Sequence, residues 1–276
     1  MRCERHRRAR PALGTLVDIT LDAANVARAM PAFEAAFAEV ARIHALMSAH
    51  DERSDVMRLS RRAHLEPVHV HADTLAVLRL AMRLYELSDG VFDPAVGALM
   101  ARAGYVPPVE LDSQAMRGSL ADVVIADDGA VMFRRPLHLD FGGIAKGYAV
   151  DCAVQALSAL DVAGALVNAG GDMRAFGVAE HRVQLRTAQG LSTIALLKDA
   201  ALASSCHADR HASRTSPHLD ARSGYAVDRQ DSIVVHAPYA AVADALTKVA
   251  MVSATLADRA CEALGAQWRA FAFHIA

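Results

Sequence analysis

The segment Leu139 to Asp151, LDFGGIAKGYAVD, puts a carboxylate, a glycine pair and a lysine on a span that could hold a phosphate. Gly142 and Gly143 would free the backbone and let a ligand come close, while the amides of a helix start would point at an arriving anion. Lys146, on the first turn of that helix, adds a point charge, and Asp140 at the strand end could accept from a ligand amide or ribose. The run is not GxxxxGK[ST], because Gly147 follows the lysine, and its glycine spacing is not GxGxxG. On these residues alone a tight strand-to-helix turn with a solvated lysine stays open as well.

Five other places could carry chemistry. Phe92 and Asp93 precede Pro94 at a helix end, and Gly170, Gly171 and Asp172 close a short strand. His218, Asp220, Arg222 and Gly224 form a polar turn. Asp244 stands in a helix made largely of Ala, Leu and Val, where burial costs several kcal/mol unless a cation or donors meet it. Cys206, His207, His211 and His218 could bind zinc, with His207 and His211 spaced i, i+4. However, HADRH lacks the glutamate of HExxH. In HVHAD, His69 and His71 read as solvated or capping groups and Asp73 as a helix cap, and no GxSxG elbow occurs.

The elements that must position these groups follow from periodicity. Leu16 to Leu21 alternates like a half-buried strand, and Phe33, Phe37, Val40 and Ile43 recur at helix spacing with Pro31 in a first turn. A second helix runs from about Asp73 to Gly90. Val123 to Ile125 and Val131 to Phe133 flank an Asp-Asp-Gly turn, and His181 to Arg186 and Ser192 to Leu197 flank Gln189 and Gly190, so both read as hairpins. Strands at Ala165 to Asn168, Ile233 to His236 and Trp268 to Ile275 complete the set, with helices from Tyr239 and Thr255. Hairpins interleaved with helices predict an α+β architecture with mixed or antiparallel sheets rather than a doubly wound parallel one.

Composition sets the outer bounds. With 276 residues, 53% of them hydrophobic, the chain can bury a substantial core in one compact unit. A net charge of -2 gives no long-range attraction to nucleic acid or an anionic membrane. Arg2, Arg5, Arg7, Arg8 and Arg10 make a basic start, read as a tail over residues 1–12 ahead of a single domain at 13–276. No apolar h-region follows it and no stretch is long and apolar enough to span a bilayer. Cys3, Cys152, Cys206 and Cys261 form no CxxC pair, which argues against a disulfide framework and points to a reducing, cytoplasmic setting.

The order of the motifs resembles one family. Leu13-Gly14-Thr15, Ser48, Ser54-Asp55, Gly90-Val91-Phe92-Asp93, LDFGGIAKGYAVD, Asn168-Ala-Gly-Gly-Asp172, Ala203-Ser204-Ser205, His218-Leu219-Asp220 and Ala243-Asp244-Ala245-Leu246 follow the pattern of the ApbE-type FAD:protein FMN transferases from about Leu13 to Val252. The resemblance implies an ApbE-like, T-fold-like bilobed unit. It also implies transfer of FMN from FAD, with magnesium, to a Ser or Thr hydroxyl of a partner flavoprotein. Residue by residue, it implies flavin contacts at Leu13, His50, Val91, Phe92, Asp93, Asp140, Lys146, Asp172 and Leu219. It further implies metal ligands at Gly143, Asp244 and Thr247, and His218 as base for the acceptor hydroxyl. A relative that binds FAD without transfer, or one that hydrolyses FAD, is the alternative.

The chain departs from the family pattern at several positions. Leu13 replaces the usual Met, His50 takes the place of an aromatic, and the Trp-Gly-Phe-Gly element is missing, with only Ala103-Gly104-Tyr105 nearby. Ala203-Ser204-Ser205-Cys206 stands for Ala-Thr-Ser-Gly, and Lys248 occupies the position four after Asp244 where the family has a metal-binding Thr. An ammonium there would repel magnesium or stand in for part of its charge beside the pyrophosphate, so a weakened metal site is expected.

Overall fold

The strand-period segments pair into one seven-stranded antiparallel sheet and separate hairpins, and the helix-period segments pack against the sheet. The computed structural model describes residues 3–107, 118–187, 190–206, 218–229 and 231–272. His207 and His211 of the histidine loop lie outside them. In chain order the described elements are β1 (Glu4–Ala12), β2 (Thr15–Ala23), α1 (Val26–Met47), α2 (Asp55–Arg62), α3 (Ala72–Leu87), α4 (Gly97–Arg102), β3 (Val123–Ile125), β4 (Val131–Phe133) and α5 (Ala145–Ser158). Then come β5 (Gly164–Ala169), β6 (Asp172–Gly177), β7 (His181–Thr187), β8 (Gly190–Leu197), β9 (Ala201–Ser205), β10 (Leu219–Asp220), β11 (Tyr225–Ala226), β12 (Asp231–Ala237), α6 (Ala240–Val252), α7 (Ala254–Leu264) and β13 (Gln267–Ala272). The main sheet runs β1-β2-β5-β6-β9-β12-β13, and β3-β4, β7-β8 and β10-β11 are separate hairpins. The α+β architecture is as expected.

Burial follows the apolar spacing. Val17, Ile19 and Leu21 of β2 meet Phe33, Phe37 and Val40 of α1 and Val150, Val154 and Leu157 of α5 in one cluster. Each such side chain contributes roughly 2 kcal/mol when fully buried. A larger cluster joins Leu78 and Leu84 of α3, Leu139 and Phe141, and Leu246 and Val249 of α6. The β7-β8 hairpin covers Met173 and Leu202 of the sheet with Val183 and Leu197. All four cysteines are unpaired.

Three local expectations change. The basic start is not a tail: Glu4–Ala12 pairs along its whole length with β2, and the hairpin turns at Leu13 and Gly14, both at positive φ (55° and 71°). A strand without apolar alternation is hard to see in sequence. Here its arginines are held by Arg5–Asp22 and Arg7–Asp18 pairs (3.0 and 2.7 Å) and by Arg10 lying over the Phe37 ring. Charge on an edge strand also discourages pairing with other chains.

Second, α1 starts at Val26, because the Asn25 side chain accepts from the Arg28 amide (3.0 Å), so Pro31 lies inside the helix rather than in its first turn. Third, α3 is capped by His71, whose Nδ1 accepts from the Asp73 amide (3.2 Å). Asp73 instead accepts from the Tyr148 hydroxyl (2.7 Å) and pairs with Arg42.

Candidate active site

A cavity of about 640 Å³ opens where the β1-β2 turn, the segments after α1 and α3, the start of α5 and the His218-Leu219 segment converge. That size suits a cofactor-scale ligand. Leu13, His50, Val91, Phe92, Asp93, Asp140, Gly143, Lys146, His218 and Leu219 all line it. The remaining residues singled out from the sequence, Asp172, Asp244 and Thr247, do not; they lie behind two lysines that do.

Each wall has a local cause. The Leu13 backbone is in the left-handed region, which costs an L residue on the order of 1 kcal/mol, so the hairpin holds this side chain at the cavity rim under mild strain. Gly90, at φ +77°, ends α3, and the Ser88 hydroxyl accepts from the Phe92 amide (3.0 Å), which fixes the buried ring. Asp93 accepts from the Ala95 amide (2.8 Å) and the Leu120 amide (3.3 Å). Burial nevertheless pushes its carboxyl up to about 6, the nearby Asp122 charge adding to this.

The glycine pair behaves differently from expectation. Neither Gly142 nor Gly143 takes a positive φ. The amides near the helix start are mostly engaged within the chain: Gly142 donates to Asp140 Oδ1 (2.9 Å), Ile144 and Ala145 to the Phe141 carbonyl (3.0 and 2.8 Å), and Gly147 to Asp244 Oδ2 (3.3 Å). The glycine that sequence reasoning passed over is Gly147. A Cβ there would sit 2.2 Å from the Ala240 carbonyl oxygen, so only glycine lets α6 approach α5 this closely. One turn on, Asp151 accepts from the Ala240 and Ala241 amides (2.9 Å each) and from Arg174 (2.8 Å), capping α6 from α5. Gly147 and Asp151 stand i, i+4 on one helix face, the signal that could have revealed this docking.

That docking brings two carboxylates and two ammonium groups together. Lys146 donates to Asp172 Oδ2 (2.6 Å) and Asp244 Oδ2 (3.2 Å), and Lys248 donates to Asp244 Oδ1 (2.7 Å). Asp172 and Asp244 are 3% and 0% exposed, whereas the lysines are 29% and 23% exposed and reach the cavity. The carboxylates therefore lie beneath and the positive ends face the ligand space. Burial alone would raise the Asp244 carboxyl, but the Lys146 and Lys248 charges outweigh it and hold it low. Asp172 is pushed up by burial and by Asp244, against the pull of Lys146. For Lys146, burial opposes the charge, but Asp244 and Asp172 more than compensate and raise it.

Asp244 and Thr247 do come together, but around the Lys248 ammonium, with Gly143 beside the lysine stem. Its Nζ lies 2.7 Å from Asp244 Oδ1 and 3.0 Å from both Thr247 Oγ1 and Ser205 Oγ, and a Cβ on Gly143 would touch its stem at 3.4 Å. Thr247 Oγ1 also donates to the Asp244 main-chain carbonyl (2.6 Å) and lies 2.8 Å from Ser205 Oγ. Magnesium needs oxygens at about 2.1 Å in near-octahedral order, and the center of this oxygen set holds an ammonium. These residues as arranged do not fit the ion. Among the described residues no helix is long and apolar enough to cross a membrane.

Comparison with known proteins gives the family and the fold. Curated relatives include FAD:protein FMN transferases of Haemophilus influenzae, 24% identical over 74% of this chain and 67% of that protein, and of Treponema pallidum, 29% identical over 69% and 57%. The matches thus span between about half and two thirds of those relatives' lengths. Among solved structures, an ApbE protein from Thermotoga maritima superposes at TM-score 0.84 with 28% identity, covering 97% of this chain and 94% of that one. The flavin transferase ApbE from Vibrio cholerae shares the fold at TM-score 0.85 with 22% identity, covering 97% and 93%. The ApbE family model matches residues 13–267, and the chain belongs to the ApbE family.

Proposed function

We propose that this protein transfers the FMN half of FAD to a Ser or Thr hydroxyl of a partner flavoprotein. The observation that carries the reading is one cavity with an apolar wall at Leu13, Val91 and Phe92 and a floor of two ammonium groups backed by buried carboxylates. An isoalloxazine ring suits the first and a pyrophosphate the second. The names of the curated relatives support FMN transfer from FAD to a protein.

In the transfer, the acceptor hydroxyl oxygen attacks the phosphorus on the riboflavin side of the pyrophosphate. A new P–O bond forms as the bond from that phosphorus to the bridging oxygen breaks, and AMP leaves with the bridging oxygen. The hydroxyl proton goes to His218, which lines the cavity. No electrons change hands. Such a step needs positioning and charge neutralisation more than covalent help, and Lys146 and Lys248 supply charge where it develops. Magnesium, expected from the family, does not fit beside Lys248.

The test is incubation with FAD and a peptide carrying Asp-x-x-[Ser/Thr]-Gly-Ala-[Ser/Thr], read by intact mass. A gain equal to FMN supports the reading. Release of FMN and AMP with an unmodified peptide would make the protein an FAD hydrolase. His218→Asn should slow transfer by about 10²- to 10³-fold while FAD binding stays, as for loss of a general base.

A further inference from the structure

We infer that Lys248 is a built-in replacement for the divalent cation, so that this chain binds the FAD pyrophosphate and transfers FMN without metal. The inference rests on the transferase reading for its activity arm only. Its carrier is the position of one nitrogen. Lys248 Nζ is held by three oxygens, Asp244 Oδ1, Thr247 Oγ1 and Ser205 Oγ, at 2.7, 3.0 and 3.0 Å. Three acceptors match the three protons of an ammonium, so the group is fixed in place as a metal would be rather than left to wander.

The charge count agrees. Asp172 and Asp244 contribute two negative charges and Lys146 and Lys248 two positive ones, so the buried cluster is neutral as it stands. Before FAD arrives, a divalent ion added to it would leave two uncompensated positive charges, and it would have to expel Lys248 from its oxygens first. Remove the Lys248 charge, and the cluster is left with one uncompensated negative charge, which is the state that draws in a cation. The stem packs beside Gly143: Cγ and Cε of Lys248 pass 3.4 and 3.5 Å from where a Cβ of residue 143 would be, ordinary van der Waals contact. Because helix-start amides are largely engaged inside the chain, the two lysines carry most of the positive character at the cavity floor.

The experiment compares the full-length chain with Lys248→Thr, which removes the ammonium and supplies a hydroxyl. Manganese binding is followed by electron paramagnetic resonance, and FMN transfer to the peptide in excess EDTA or in millimolar magnesium. The wild-type chain should bind manganese at least about tenfold more weakly than the variant, and transfer FMN within about twofold equally in both buffers. The variant should be silent in EDTA and regain transfer with magnesium. Equal manganese affinity in the two proteins, or wild-type transfer lost in EDTA and restored by magnesium, overturns the inference. Should no transfer occur under any condition, the transferase reading fails, while manganese binding still decides the metal question. If Lys248→Thr does not fold, Lys248→Met keeps the stem and removes the charge. FAD binding to it in EDTA, read by flavin fluorescence, should weaken by about tenfold or more, and unchanged binding refutes the role.

Discussion

Replacing Lys146 by Met keeps the stem and removes the charge between two buried carboxylates. Asp244 retains Lys248, but Asp172, 3% exposed, loses the ammonium that donates to it at 2.6 Å. An unpaired carboxylate there takes up a proton instead of staying charged. The folded variant then binds one more proton than its unfolded chain, where Asp172 ionises near 4 as an ordinary aspartate does. Its stability must fall by about 1.4 kcal/mol for each pH unit, because each bound proton carries that slope. In the wild-type chain the pair is ionised at neutral pH and above, so this slope is absent there. The sign is that of a raised acid, with stability lost as pH rises. Between pH 7 and pH 8.5 the gap between the two proteins should widen by about 2 kcal/mol. Urea unfolding across that range measures it, and Asp172→Asn added to the variant should remove the widening. A gap that stays constant with pH, or one that survives the second substitution, would refute the ion-pair account and leave only lost packing.

Two further substitutions test the scaffold. Gly147→Ala places a methyl 2.2 Å from the Ala240 carbonyl oxygen and should cost about 2 to 3 kcal/mol in urea unfolding, because backbone rather than a side chain must move; a cost within about 0.5 kcal/mol of zero would show that α6 does not dock there. Asp93 is raised to about 6 by burial, so its ionisation weakens the fold as pH rises from 4 towards 6. Asp93→Asn should therefore be more stable than wild type at pH 8 by roughly 1 to 2 kcal/mol, a gain that shrinks towards zero at pH 4. A difference independent of pH would count against it.

Much of the fold could be read from periodicity. Alternation at Val17, Ile19 and Leu21 marked β2, and helix spacing from Phe33 to Ile43 marked α1, because each has one apolar face that must be buried. Strand β1 escaped, since its stabilising partners are Asp18, Asp22 and the rings of α1, which lie elsewhere in the chain. The motif order picked out residues that gather around one cavity, because groups acting on one ligand keep their identity and order whatever the connecting loops do. The apolar setting of Asp244 already said that a cation must meet it.

Which cation, and how, was decided only by the tertiary structure. LDFGGIAKGYAVD looked like a loop whose glycines and amides hold an anion, yet those amides mostly bond within the chain, and the run's larger part is to dock α6 through Gly147 and Asp151. Residue types and their order thus determined the family, the α+β class and the candidate residues. The distances between Lys146, Lys248, Asp172 and Asp244 depend on how α5, α6 and the β5-β6 turn come together. An ammonium seated among Asp244, Thr247 and Ser205 is a fact of packing that no local sequence pattern contains, because its three oxygens come from two separate elements.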